Sequence, residues 1–194
     1  MDKIKIIDMC VDDFGQFGVH AISVVEKPAI QVDFVALNED KPRFIKLEAD
    51  EKRMLYGAIL IPDQLIYRVD EETKEEYYIR YSKEVIEKTA YNYLKNKNQG
   101  NATLEHAVPI EGLTLVESWL TDGTNDKSKT LGFDLPNGTW FGGIKVDNAD
   151  VWEAVKDGKV KGFSIEGYFI PAKEQLLSDH AKLLQELEEI LKGN

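Results

Sequence analysis

Residues that cross-link a chain or ligate metals are scarce in this sequence of 194 residues. There is one cysteine, Cys10, so no disulfide can form within the chain, and the three histidines, His20, His106 and His180, fall in no pattern with zinc-ligand spacing. Basic residues are outnumbered, with 24 Lys and Arg against 35 Asp and Glu. The resulting net charge of −11 repels phosphate backbones. We therefore expect no metal, no cofactor and no nucleic-acid partner.

Long apolar runs are also absent. The opening segment MDKIKIIDMCVDD turns acidic at its eighth residue, unlike a signal peptide, and no apolar stretch approaches the ~18 residues of a membrane helix. These features favour a cytoplasmic protein without a membrane partner. The chain does contain core-forming material, since 43% of its residues are hydrophobic. Its length favours one domain with a small appended element.

Hydrophobic patterns divide the chain into three parts. Residues 1–50 carry short alternating stretches, which predict strands or an extended segment that packs on or leads into the next part. Residues 51–170 hold most of the predicted strands, among them Leu113 to Leu120 and Lys129 to Asp134. The same part holds two predicted helices, Ser82 to Asn98 and Ala149 to Lys156. Residues 171–194 predict an amphipathic helix. Its heptad-like apolar stripe consists of Leu177, Leu184, Leu187, Ile190 and Leu191.

Few side chains are candidates for catalysis. His106 ends the strand-like segment ATLEH, which would present its imidazole at the rim of a sheet, whereas Cys10 is typical of a small buried hydrophobe. Ser164 lies in the strand-like KGFSIEGYF between Gly162 and Gly167. The missing side chains of these glycines would let another backbone approach, as a peptide substrate would. From composition alone, a surface hydroxyl is the default interpretation of Ser164.

Two carboxylates have unusual settings. Glu117 interrupts the apolar run LTLVESWL, and Glu166 follows Ser164 by two residues. A carboxylate among large apolar residues is costly unless it is paired or faces water, and a histidine that becomes charged during a reaction is one suitable partner. An exposed strand face explains either carboxylate equally well.

Longer motifs resemble a known family. The runs HAVPIEGLTLVESWLTD and GTWFGGIKVDNADVWEAVKDGKVKGFSIEGYF, with GVHAISVVEKPAI near the start, resemble the XkdF-like "putative serine protease" family of tailed phages. That family is related to the prohead (capsid maturation) proteases and to herpesvirus assemblin. The resemblance covers roughly Leu55 to Phe169. It implies an α+β fold, an assemblin-like antiparallel β-barrel decorated with helices, over residues 51–170.

The resemblance also implies a serine endopeptidase with Ser164 as nucleophile and His106 as general base. Assemblin-type enzymes use a second histidine after the serine, but here that residue would be His180 on the predicted terminal helix, so we favour an acidic third residue. Glu117 is the first choice. Glu166 is the alternative, because residues i and i+2 of a strand share one face about 6 to 7 Å apart, a gap that an imidazole can bridge.

The implied reaction takes place inside an assembling phage procapsid in the host cytoplasm. Its substrates would be the scaffold, the major capsid protein and the enzyme itself, and Gly142 and Gly143 are candidate oxyanion donors. The terminal helix would mediate a homodimer or docking on the scaffold. The alternative function is a non-catalytic capsid-assembly module on the same fold, in which His106 and Ser164 are relics and the terminal helix binds the scaffold.

Overall fold

The structure is a computed structural model that describes residues 4–12, 17–37, 52–123, 125–176 and Leu184. The strands, in chain order, are Lys5–Cys10 (β1), Gly18–Val25 (β2), Val35–Leu37 (β3), Met54–Leu60 (β4), Ile66–Val69 (β5), Glu76–Tyr81 (β6), Ala102–Leu104 (β7), Val108–Ile110 (β8), Leu113–Leu120 (β9), Trp140–Val146 (β10), Gly162–Tyr168 (β11) and Ile170–Pro171 (β12). The helices are Lys83–Lys95 (α1), Lys127–Thr130 (α2) and Ala149–Lys156 (α3), with a 3-10 turn at Asn98–Gly100.

The strands form three four-stranded sheets. Sheet 1 has the order β12-β1-β6-β5, sheet 2 the order β3-β4-β10-β9, and sheet 3 the order β11-β2-β7-β8. Strands β1, β2 and β3 belong to different sheets, so the described part of residues 1–50 contributes one strand to each sheet. Residues 170–171 add a short edge strand beside β1.

The expected α+β class is confirmed, but the described strands do not close into a barrel. Each sheet ends in edge strands that pair on one side only, such as β5 in sheet 1 and β8 in sheet 3. A closed barrel requires every strand to have two neighbours. The assemblin-like topology therefore stays a prediction.

The core lies between the inner faces of the sheets. All seven residues of β4 are buried, as is typical of a central strand covered on both sides. Helix α1 packs the Tyr93 ring against Trp140 of β10, with ring centroids 5.4 Å apart. Phe163 of β11 is fully buried and packs against Phe34, 5.2 Å between centroids. Since neighbouring residues of a strand point to opposite faces, Ser164 points to the face of sheet 3 opposite Phe163.

Local capping sets the helix positions. The hydroxyl of Ser82 accepts a hydrogen bond from the Val85 amide at the start of α1, and the Asn148 side chain accepts one from Val151 at the start of α3. The predicted strand from Lys129 to Asp134 is wrong. The Asp126 carboxylate accepts from the Ser128 amide at 2.7 Å and caps α2 instead.

The predicted terminal helix falls mostly outside the described residues, as does His180. Residues 172–176 are helical, and Leu184, the one described member of the apolar stripe, is half exposed. Across the described ranges, no helix is both long enough and apolar enough to cross a membrane.

Candidate functional site

Ser164 is held in the middle of β11, an edge strand of sheet 3. It lies directly opposite Ser23 of the neighbouring antiparallel strand β2, and only 7% of its surface is exposed. Its hydroxyl makes no hydrogen bond to any residue that the structure describes. The position is thus fixed by the sheet, while the hydroxyl has no partner within the described chain.

His106 occupies the tight turn between β7 and β8. The Ala107 amide donates to the Leu104 carbonyl at 3.0 Å, and the two central residues, Glu105 and His106, have φ values of 51° and 57°. Two consecutive positive φ angles are the signature of a type I′ turn, which favours Asn-Gly. A pair of residues with long or bulky side chains is strained there, and such strain is concentrated at functional sites.

Hydrogen bonds from sheet 3 fix both the backbone and the ring of His106. Its amide donates to the hydroxyl of Ser23 at 3.1 Å, and that hydroxyl donates to the Thr103 carbonyl at 3.2 Å. The imidazole Nδ1 lies 3.3 Å from Oε1 of Glu166. The Thr103 hydroxyl donates to the same carboxylate oxygen. The His106 side chain is 42% exposed, so solvent and substrates can reach it.

This arrangement is suited to acyl transfer. Ser164 and Glu166 are two residues apart on β11 and therefore share one face of the strand, and the imidazole of His106 contacts Glu166. A carboxylate at Nδ1 leaves Nε2 as the nitrogen that can take a proton from a nucleophile. The structure therefore brings the imidazole of His106 to the carboxylate of Glu166, on the strand that also bears Ser164, without a hydrogen bond between His106 and the Ser164 hydroxyl.

Glu117 lies elsewhere, in sheet 2, opposite Gly143. Its carboxylate accepts a hydrogen bond from the Tyr56 hydroxyl at 2.5 Å and forms an ion pair with Lys127. Partial burial would raise the pKa of Glu117, but the bonds from Lys127 and Tyr56 outweigh it and hold the pKa below its usual value. The structure thus brings Glu166, the alternative third residue, to His106, and gives Glu117 other partners.

The chain itself uses the space beside the glycines of β11. An added Cβ at Gly162 would lie 2.5 Å from the Pro28 ring, and one at Gly167 would collide with the carbonyl oxygen of Gly18. The close approach of another backbone that was expected at these glycines is found at Gly167, but the approaching groups belong to the same chain and not to a substrate.

Gly142 and Gly143 are also explained by packing. They lie in β10, which is paired with β4 on one side and β9 on the other. A Cβ at Gly142 would lie 2.7 Å from both Ile59 and Leu115. The two glycines let side chains of both neighbouring strands meet over the centre of sheet 2.

Ser23 and Thr103 are site residues that the sequence did not indicate. In GVHAISVV, Ser23 is one hydroxyl in an apolar strand. Its contacts with the site depend on the pairing of β2 with β7, which begins nearly eighty residues later. The other described candidates do not join the site: His20 stacks on Tyr168, and Cys10 donates to the Ile170 carbonyl. Among the described residues, no group of three or more His, Cys, Asp or Glu side chains is placed to hold a metal ion.

Comparison with known proteins agrees with this chemistry. A family model described as "Putative phage serine protease XkdF" matches residues 41–170. "Uncharacterized protein YqbD" of Bacillus subtilis (strain 168) is 28% identical over 153 residues, which cover 75% of this chain and 43% of that protein. "Phage-like element PBSX protein XkdF" of the same organism is 29% identical over 157 residues, covering 75% of this chain and 50% of that protein.

The chain thus spans half or less of the length of these two relatives. No solved structure matches significantly. The family match extends over well more than half of the chain, and both His106 and Ser164 lie within it. This chain therefore belongs to the phage family described as "Putative phage serine protease XkdF".

Proposed function

We propose that the protein is a serine endopeptidase that cleaves phage proteins during prohead maturation. The observation that carries this proposal is the bond between His106 Nδ1 and Glu166, formed on the strand face that also bears Ser164. Family membership supports the same reaction class. Nucleophile, base and orienting carboxylate are the three groups that such hydrolysis requires.

The reaction follows from these positions. Ser164 Oγ attacks the scissile carbonyl carbon while His106 Nε2 takes the hydroxyl proton. The protonated ring then gives that proton to the leaving amine, and the acyl group stays on Ser164 as an ester. A water molecule, deprotonated by the same nitrogen, hydrolyses the ester and restores the serine. Glu166 keeps Nδ1 protonated throughout and stabilises the charged imidazolium.

The substrates and the setting are part of the proposal. Scaffold protein, major capsid protein and the enzyme's own chain are the substrates, and cleavage occurs inside the assembling procapsid in the host cytoplasm. The family description and the phage-like element that encodes one relative support a phage setting. Residues 171–194 would mediate a homodimer or scaffold docking through their leucine stripe.

Labelling with a fluorophosphonate tests the chemistry. We expect the full chain to form an adduct that mass spectrometry locates at Ser164, and Ser164→Ala and His106→Ala to abolish or strongly slow labelling. Ser118→Ala is the matched control, since the Ser118 hydroxyl accepts a bond from Trp140 in sheet 2. An unlabelled wild-type chain, or an adduct that persists in Ser164→Ala, would refute the protease and favour the non-catalytic assembly module.

Co-expression with phage scaffold and capsid protein tests the substrates. Wild-type chain should generate discrete cleavage products, whereas Ser164→Ala should leave both proteins intact. Labelling at Ser164 without cleavage of either protein would keep the serine hydrolase and overturn the maturation role.

A further inference from the structure

We propose that Ser23 and Thr103 are positioning residues of the protease, two buried hydroxyls that hold the base and its carboxylate over Ser164. The inference rests on the proposed function for its catalytic meaning. Its structural basis is a single row across sheet 3, in which Ser164 pairs with Ser23 and Ser23 pairs with Thr103. Each of these residues therefore lies one strand away from the next.

Ser23 fixes the backbone of the base. Its side chain is fully buried, and its hydroxyl accepts from the His106 amide at 3.1 Å while donating to the Thr103 carbonyl at 3.2 Å. One hydroxyl thus links the turn to β7. Without it, the His106 amide loses the acceptor that ties the turn to β2.

The turn needs this support because its conformation is strained. Glu105 and His106 both have positive φ, and strained residues persist only where their surroundings over-determine them. The carboxylate of Glu105 accepts from the Glu26 amide at 2.6 Å, which holds the first strained residue. Ser23 holds the second. Ser23 of β2 therefore fixes His106 through its side chain, and Glu26, the residue just after β2, fixes Glu105 through its amide.

Thr103 fixes the carboxylate. Its buried hydroxyl donates to Oε1 of Glu166, the oxygen that also faces Nδ1 of His106. A carboxylate tethered by a second donor cannot rotate away from the ring, so the imidazole keeps one tautomer and one orientation. The two hydroxyls thus act on different parts of the same base, its backbone and its ring.

Matched variants separate positioning from general stability. Ser23→Ala and Thr103→Val remove the hydroxyls and keep the approximate side-chain shape, while Thr103→Ser keeps the hydroxyl. Thr121→Val is the control. The Thr121 hydroxyl donates to the Pro136 carbonyl at 2.8 Å and accepts from the Thr139 amide at 3.0 Å, so it bridges a carbonyl and an amide as Ser23 does, but outside sheet 3.

The first measurement is the kinetics of fluorophosphonate labelling at Ser164, separated into the inactivation rate constant and the reagent's binding constant. We expect Ser23→Ala and Thr103→Val to lower the rate constant about 10- to 100-fold, as small displacements of catalytic groups do, with reagent binding changed less than about twofold. Thr103→Ser should recover most of the rate, and Thr121→Val should label like the wild type. Equal slowing in Thr121→Val, or no recovery in Thr103→Ser, would overturn the inference.

The second measurement does not need activity. Two-bond ¹H–¹⁵N correlation spectra report the imidazole tautomer of His106, assigned by comparison with His106→Ala. We expect the Nδ1-protonated tautomer in the wild type and in Ser164→Ala, and a mixture in Thr103→Val. An unchanged tautomer in Thr103→Val would overturn the role of Thr103. Failure of wild-type labelling with the expected tautomers would instead refute the proposed protease and leave the positioning contacts established.

Discussion

Two carboxylates in this molecule each face one hydroxyl and one side-chain nitrogen, and the two nitrogens differ in kind. Glu166 faces the Thr103 hydroxyl and a nitrogen of His106, whereas Glu117 faces the Tyr56 hydroxyl and the ammonium of Lys127. The lysine stays charged at neutral pH, so its ion pair with Glu117 persists. An imidazole gains and loses a proton near neutral pH. The identity of the nitrogen therefore distinguishes the two carboxylates, and Glu166 is the one whose partner suits the proposed reaction.

The backbone that carries His106 differs from the backbone around Glu117. Glu117 is in the eight-residue strand β9, whose pairing with β10 shifts register between Leu115 and Glu117, and its partner Lys127 begins a helix capped by Asp126. His106 stands in a turn whose two central residues are both strained. The turn of His106 therefore holds residues that its conformation disfavours, and such local conflicts between sequence and structure are concentrated at functional sites.

The largest expected effect is on the labelling rate when each of the two carboxylates is replaced by a neutral amide. Glu166→Gln should slow fluorophosphonate labelling by about 10⁴-fold, the order of magnitude found when the orienting carboxylate of a serine protease is made neutral. Glu117→Gln should change labelling by less than about twofold. Labelling rates of the two variants measure this directly, and the reverse ranking would restore Glu117 as the third residue.

The next effect concerns the packing beneath the Glu117 cluster. Gly143→Ala should lower the free energy of unfolding by about 1–3 kcal/mol, because the new methyl would lie 2.6 Å from a Tyr56 ring carbon and 3.2 Å from the Glu117 Cβ. Urea unfolding followed by fluorescence gives the value. Gly100→Ala is the control, since nothing lies within 4 Å of a Cβ there. Equal losses in both variants would contradict a packing role for Gly143.

A smaller effect, the pH dependence of the free energy of unfolding, tests the ion pair between Glu117 and Lys127. Glu117→Gln should cost about 1 kcal/mol at pH 7, a modest value because both partners are more than a third exposed. The folded-state pKa of Glu117 is lowered, so its stabilisation is complete above the unfolded carboxyl pKa of about 4.3 and is lost as pH falls through the lower folded value. Urea unfolding of both proteins at pH 7 and near pH 3 should show the difference shrinking, and a difference independent of pH would contradict this assignment.

The smallest expected effect has the opposite sign. His106→Gly should remove activity yet raise the free energy of unfolding by up to about 1 kcal/mol, or ~2–4 °C in Tm, because glycine adopts positive φ without strain. His106→Ala keeps the Cβ and should show no such gain. Thermal unfolding compares them, and a glycine variant no more stable than the alanine variant would show that the turn stores no strain.

Local signals made much of the fold predictable. The bounds of β9 and α3 agree with the predicted Leu113 to Leu120 and Ala149 to Lys156, because alternation and capping residues lie within each segment. The tract from Lys129 to Asp134 was wrongly predicted to be a strand. The short helix α2 depends on a cap and on contacts with Trp119 that periodicity does not contain.

The site was predictable only in part. His106 and Ser164 came from the family resemblance, whereas the choice between Glu117 and Glu166 depends on which sheet each strand joins. Ser23 reaches Thr103 through a parallel pairing between segments 80 residues apart. Register of that kind is set by the whole fold, so no local pattern indicates it.

Strand β2 has a consequence for how this protein can be divided. The family match begins at residue 41, but β2, Gly18–Val25, lies between β11 and β7, so Ser164 and the His106 turn are joined in sheet 3 only through it. An expression fragment cut at the family boundary would lack the strand that joins Ser164 to the turn of His106, while retaining both residues. A fragment meant to test the proposed reaction must therefore start upstream of Gly18, and an inactive shorter fragment would reflect a missing central strand rather than a missing reactive group.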